Sequence, residues 1–98
     1  MVLYYNNLPI GNARIEITDK DTCYLGRFAI LKEYRNKGYG TILIKEAENK
    51  IKSFNISTIY LNAQYDKAGF YTKLGYKRTY KQPFYDEKYL HYEMYKIL

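Results

Sequence analysis

Leu25–Ile44 reads LGRFAILKEYRNKGYGTILI. Phe28-Ala29-Ile30-Leu31 is apolar at four consecutive positions, the pattern of a central strand buried on both faces. Arg35-Asn36-Lys37-Gly38-Tyr39-Gly40-Thr41 follows as a basic glycine turn. Glycine lets a backbone adopt left-handed angles and come close to a ligand. Next comes an amphipathic helix of about four turns, with Leu43, Ala47, Ile51 and Phe54 along one stripe. Lys45, Glu46, Glu48, Asn49 and Lys52 lie elsewhere around the wheel. A strand that enters a helix through such a turn aims backbone N–H groups and a helix N-terminus at an anion. Arg35, Lys37, Gly38 and Gly40 stand where a pyrophosphate would be held. The turn is neither a Walker A loop nor a Rossmann fingerprint, because the Gly-Lys-Ser/Thr ending and the three-glycine spacing are both absent.

Upstream, Val2–Tyr5 is a short β-prone run, and Asn6, Asn7 and Pro9 are turn residues. Gly11–Thr18 alternates Ala13, Ile15 and Ile17 against Asn12, Arg14 and Glu16, which predicts a half-buried antiparallel strand. Cys23–Leu31 is the longer central strand. Downstream, Ser57–Leu61 is a strand with Ile59 and Leu61 on one face. Asp66 is placed to cap a second helix through Phe70, Tyr71 and Leu74, ended by Gly75. Tyr76–Tyr80 and Leu90–Ile97 read as strands, and Lys81–Lys88, with Pro83, as a loop. The expected order is β-β-β-α-β-α-β-β, a mixed α/β sheet rather than a doubly wound one.

A chain of 98 residues is read as one domain, residues 1–98. Its formal net charge of +6 favours anionic partners. The single Cys23 excludes an intramolecular disulfide and suits a reducing compartment. No apolar run approaches the ~20 residues of a membrane span, and MVLYYNNLPI lacks the regions of a signal peptide. The expectation is a cytoplasmic protein away from membranes. No His, Cys or carboxylate cluster has metal-ligand spacing, and no metal is expected. Fourteen tyrosines carry no function by their number alone.

Arg-x-x-Gly-x-Gly directly after an apolar strand resembles the acyl-CoA-binding motif of the GNAT superfamily of N-acetyltransferases. LNAQYDKAGFYTKLGYK is similar to that family's next strand and helix, where Phe-Tyr-x-x-Leu-Gly-aromatic recurs. PIGNARIE and the C-terminal YLHYEMYK resemble the ElaA-like subgroup. Together these pieces cover most of the chain in the right order. The resemblance implies a mostly antiparallel sheet with two helices, acetyl-CoA as cofactor and an amine as acceptor, either a small molecule or a peptide. Phe28, Ala29 and Ile30 would offer backbone groups to the pantetheine arm, one N–H polarising the thioester carbonyl as an oxyanion hole does. Arg35, Asn36, Lys37, Gly38, Tyr39, Gly40 and Thr41 would bind the pyrophosphate. Gln64 aligns with an amide residue that helps hold the cofactor. Tyr71 matches the tyrosine that protonates the departing thiolate, a role that suits a phenol.

The general base is the departure. Many members of the family carry a glutamate where this chain has Asn62, which takes no proton but can orient a water or the substrate. Glu33 reads as a solvated charge. The base is then solvent, a water chain or His91, the only histidine. The usual N-terminal strand and helices are also lacking, so the chain resembles a minimal member. This leaves open an exposed acceptor site, a homodimer in which a second subunit completes it, or weak catalysis. A non-catalytic acyl-CoA-binding or regulatory module is the alternative. Tyr76-Lys77-Arg78-Thr79-Tyr80-Lys81 also suits nucleic acid, yet no RRM, KH or helix-turn-helix signature is present. Coenzyme A is itself polyanionic, so the charge needs no nucleic acid to explain it.

Overall fold

Alternation of apolar and polar residues builds most of this molecule, and left-handed turns at Asn6–Asn7, Asn36–Gly38, Asn55 and Gly75 punctuate it. The computed structural model describes residues 1–98. The elements are β1 (Val2–Tyr5), β2 (Leu8–Ile17), β3 (Thr22–Ile30), α1 (Tyr39–Ser53), β4 (Thr58–Gln64), α2 (Ala68–Lys73), β5 (Lys77–Arg78), β6 (Phe84–Asp86) and β7 (Tyr89–Ile97). They form one seven-stranded sheet in the order β1-β2-β3-β4-β7-β5, with β6 also on β7. Only β3 and β4 are parallel, and every other pairing is antiparallel. The expected mixed α/β architecture with two helices is what forms.

Both helices cover one face of the sheet. Cys23 and Leu25 of β3, Ile59, Leu61 and Ala63 of β4 and Met94 of β7 are buried against Leu43, Ile44, Ala47 and Ile51 of α1 and Tyr71 of α2. The alternate residues of the same strands point to the opposite face. There Tyr24, Tyr60 and Tyr95 form a ladder, with ring centroids 5.6 and 6.1 Å apart. Cys23 is buried, as a small core residue, and its thiol is pushed up to about 11 by that burial.

The structure corrects several details. Pro9 lies inside β2, and Ile10 is an extra residue between the pairs Leu3↔Gly11 and Tyr4↔Pro9. Phe54 falls beyond the end of α1 and is exposed, and Ile44 takes its place in the core. Glu48, assigned to the polar side of the wheel, is buried, because the hydroxyl of Tyr76 and the ammonium of Lys96 reach it from the sheet. Asp66 caps nothing: it sits within a 3-10 turn, Tyr65–Lys67, that leads into α2 without a side-chain cap. β4 runs on to Gln64, and β5 is reduced to two residues. Part of Lys81–Lys88 is not loop but the hairpin strand β6. Gly75 does take a left-handed angle, φ 96°, after α2.

Three tyrosine hydroxyls are held protonated by the fold. The hydrogen bond from Tyr24 to Glu93 pushes its phenol up to about 12. Burial pushes Tyr71 up to about 12, and burial with the neighbouring Glu48 raises Tyr76 further still. A raised folded-state value means stability present below the unfolded value, near 10 for tyrosine, and lost as pH rises through the folded one. Thermal melts should therefore show a midpoint that falls between about pH 10 and 12. A midpoint that holds steady across that window would contradict this assignment.

Candidate active site

β3 and β4 run side by side only where Thr22–Tyr24 pairs with Thr58–Tyr60. Beyond Tyr24 they part. The cause lies in β3, where Asn12↔Ala29 and Arg14↔Gly26 leave one residue too many on the β3 side. Arg27 carries the strain of this bulge, with φ 50°. A bulge bends its strand and increases the local twist. The space between the parting strands is a cleft of about 950 Å³.

Phe28, Ala29 and Ile30 line one wall of it. Leu31 N donates to Ile10 O at 2.7 Å, so Leu31 and, two residues back, Ala29 turn their backbone groups toward β2. Phe28 and Ile30 turn theirs toward the open edge. There Ile30 O accepts a hydrogen bond from Arg35 Nε at 2.9 Å. Of the three residues expected to offer backbone groups to the cleft, Ala29 is thus the one whose groups face away.

The glycine turn contributes to the same lining. Asn36 and Gly38 take left-handed angles, φ 61° and 85°, and α1 begins at the next residue. The first bond of the helix runs from Ile42 N to Gly38 O, so the N–H groups of Tyr39, Gly40 and Thr41 have no helical partner. The first turn of α1 carries no acidic residue. Arg35, Asn36, Gly38, Gly40 and Thr41 line the cleft. The side chains of Lys37 and Tyr39 lie outside it. Lys37 Nζ sits 5.9 Å from the centre of the Tyr34 ring, and Tyr39 packs edge-on against Tyr5 and Tyr34. A Cβ on Gly38 would meet nothing within 4 Å, so that glycine answers to its backbone angle. A Cβ on Gly40 would lie 3.3 Å from the Phe70 ring, so this glycine answers to packing.

Asn62, Gln64, Tyr71 and His91 line the cleft as well. Register places Asn62 opposite Glu93 and Gln64 opposite His91. The Tyr71 ring is packed edge-on by Phe28, Phe70 and Tyr76. Its hydroxyl makes none of the side-chain hydrogen bonds in the molecule, and burial keeps it protonated, with a pKa of about 12. His91 Nδ1 lies 2.9 Å from Tyr89 O, and the ring stacks on Phe84. A carbonyl oxygen only accepts, so Nδ1 carries the hydrogen and the neutral ring keeps its lone pair on Nε2.

Sequence reading misses Leu25, Gly26, Arg27, Leu61, Lys67 and Phe70, which also line the cleft. Lys67 adds a cation to the cleft, which also holds Arg27 and Arg35. Its place in a 3-10 turn ahead of α2 has no sequence signal beyond the Phe70-Tyr71 pair that follows. Arg27 is hidden because arginine is an unusual residue for a left-handed bulge.

The whole chain, residues 1–98, matches the family described as the acetyltransferase (GNAT) domain. It is 40% identical over 77 residues to a Bacillus subtilis protein provisionally described as an acetyltransferase, covering 79% of this chain and 52% of that one. The chain therefore spans about half the length of that relative. A crystal structure from Lactobacillus plantarum, provisionally described as an N-acetyltransferase, superposes with a TM-score of 0.91 at 28% identity, over 99% of this chain and 66% of that one. A GNAT family acetyltransferase from Elizabethkingia anophelis, solved with acetyl-CoA bound, superposes with a TM-score of 0.83 at 20% identity, over 99% of this chain and 74% of that one. No helix here is long and apolar enough to cross a membrane. With its motifs in order, its sheet parted at a bulge and its full length matched, the chain belongs to the GNAT acetyltransferase family.

Proposed function

We propose that the protein transfers an acetyl group from acetyl-CoA to a primary amine by direct attack, with Tyr71 as general acid. One observation carries the reading. A single cleft is lined both by a phosphate-type cradle, with Arg35, Asn36, Gly38, Gly40 and Thr41, and by an unpartnered, protonated phenol, Tyr71.

The residues present fit the cofactor. Helix N–H groups without partners, the left-handed Gly38 and the cations Arg35 and Lys67 suit a pyrophosphate. The free edge of β3 suits an extended amide-bearing arm, which would add to the sheet as a strand does. A volume of about 950 Å³ holds a large ligand. Acetyl-CoA supplies a thioester carbonyl for the amine to attack and a thiolate leaving group.

Backbone N–H groups of Phe28 and Ile30 donate toward negative charge that develops on oxygen at the β3 edge. Tyr71 Oη donates its proton to sulfur as the C–S bond breaks. His91 Nε2 accepts a proton from the amine, and Asn62, which holds no exchangeable charge, orients the amine or a water. Gln64 helps hold the cofactor. A non-catalytic acyl-CoA-binding module is the second reading, favoured by the presence of Asn62 where a carboxylate base would serve.

Thermal unfolding with acetyl-CoA, with ATP and NAD as controls, tests the cofactor. At 100 times its dissociation constant a ligand adds ~2.7 kcal/mol, and each 1 kcal/mol moves the midpoint of a domain this size by roughly 4–8 °C. Acetyl-CoA alone should raise the midpoint, and Gly38→Val should abolish the rise, since a β-branched residue is strained at φ 85°. An equal response to all three ligands would reduce the turn to a basic loop. Thiol release with a panel of amines then separates the enzyme from the binding module.

A further inference from the structure

A second cleft, of about 370 Å³, opens beside the first and shares Leu25, Gly26, Arg27, Asn62 and His91 with it. Four charged side chains line it: Arg14 and Glu16 from β2, Arg27 from the bulge and Asp86 from the β6–β7 hairpin. None of them is paired. The one ion pair in the molecule, between Lys96 and Glu48, lies elsewhere. Register sets Arg14 opposite Gly26, where even an added Cβ would meet nothing within 4 Å. The arginine therefore faces open space rather than a packed neighbour.

Tyr24 adds a directional constraint. Its hydroxyl donates to Glu93 Oε2 at 2.6 Å, and Glu93 Oε1 accepts from Thr79 Oγ1 at 2.9 Å. With its proton committed, the Tyr24 oxygen at this cleft can only accept. It suits an N–H donor.

These features narrow the occupant. A polyamine would bring a second cation against Arg14 and Arg27. A plain anion would face Glu16 and Asp86. A molecule with both signs of charge satisfies all four, and like-charge contacts reject the other two classes. The volume suits a small molecule. We infer that this cleft is the acceptor subsite and that it takes an amino acid: Arg14 and Arg27 hold the carboxylate, while Glu16, Asp86 and the Tyr24 oxygen draw in the ammonium. His91, common to both clefts, stands where that ammonium gives up its proton before the N–C bond forms and the C–S bond breaks. The inference rests on the acyl-transfer reading above.

The test compares each free amino acid with its own carboxamide, which keeps the amine and loses the anion. Binding to the protein saturated with coenzyme A is read by calorimetry, and turnover by thiol release from acetyl-CoA. At least one free amino acid should bind about tenfold or more tightly than its carboxamide, the range of a charge-assisted contact. Arg14→Gln should collapse that preference through KM for the free acid. Arg27→Gly should do the same at a position whose left-handed backbone glycine adopts freely. Carboxamides that bind as well as the free acids, in a protein that acetyl-CoA still stabilises, would overturn the subsite and leave the acyl-transfer reading standing. Failure of acetyl-CoA to stabilise the protein would remove both.

Discussion

Tyr71→Phe should lower kcat for acetyl transfer by about 10²-fold or more while stabilisation by acetyl-CoA persists. The substitution deletes one oxygen. The ring it leaves keeps its edge contacts with Phe28, Phe70 and Tyr76, so packing at the head of α2 is preserved. The deleted hydroxyl has no protein partner, so no internal hydrogen bond is lost with it. What disappears is a proton donor whose pKa of about 12 keeps it loaded at neutral pH. A departing thiolate then has only water to protonate it. For the same reason the wild-type rate should show no loss on the alkaline side that tracks Tyr71 until pH nears about 12. An unchanged kcat in the variant would make Tyr71 a packing residue and return the general-acid role to solvent.

Lys96→Met should cost about 3 kcal/mol or more of stability. Lys96 Nζ contacts both Glu48 carboxylate oxygens, at 3.1 and 3.0 Å, and Leu74 O at 2.7 Å. The pair is largely shielded from water, with side-chain exposures of 26% and 12%. One ammonium thus ties α1 to β7 and satisfies a carbonyl at the end of α2. Its removal leaves Glu48 with the Tyr76 hydroxyl alone, at 2.9 Å. An uncompensated buried charge is the costly part, so Glu48→Leu added to Lys96→Met should recover much of the loss. At roughly 4–8 °C per kcal/mol, melting curves resolve both effects. A double variant less stable than Lys96→Met alone would show that the charge itself was not the source of the cost.

Local chemistry made parts of this structure readable. Asn6 and Asn7 both take left-handed angles, φ 48° and 66°, in the two-residue turn between β1 and β2, and asparagine tolerates that region. The hairpin between β6 and β7 uses Glu87 in the same way, at φ 58°. Glutamate gives no such signal, so the sequence of β6 reads as loop. The glycine turn and Gly75 were legible because few other residues accept their angles. Glu48 was not, because its partners lie 28 and 48 residues away and a helical wheel carries only local spacing. At the site, Tyr71, Asn62, Gln64 and His91 converge on one cleft, but the bulge at Arg27 that opens it depends on how β2 and β3 register. That is a tertiary choice no single residue announces.

The short ladder between β3 and β4 has a mechanical side. Three residue pairs stitch the first three strands to the last four. A continuous sheet would have closed that seam with backbone bonds. A ligand held between the strands would complete the stitching, so the free energy of its binding would also hold the two halves of the sheet together.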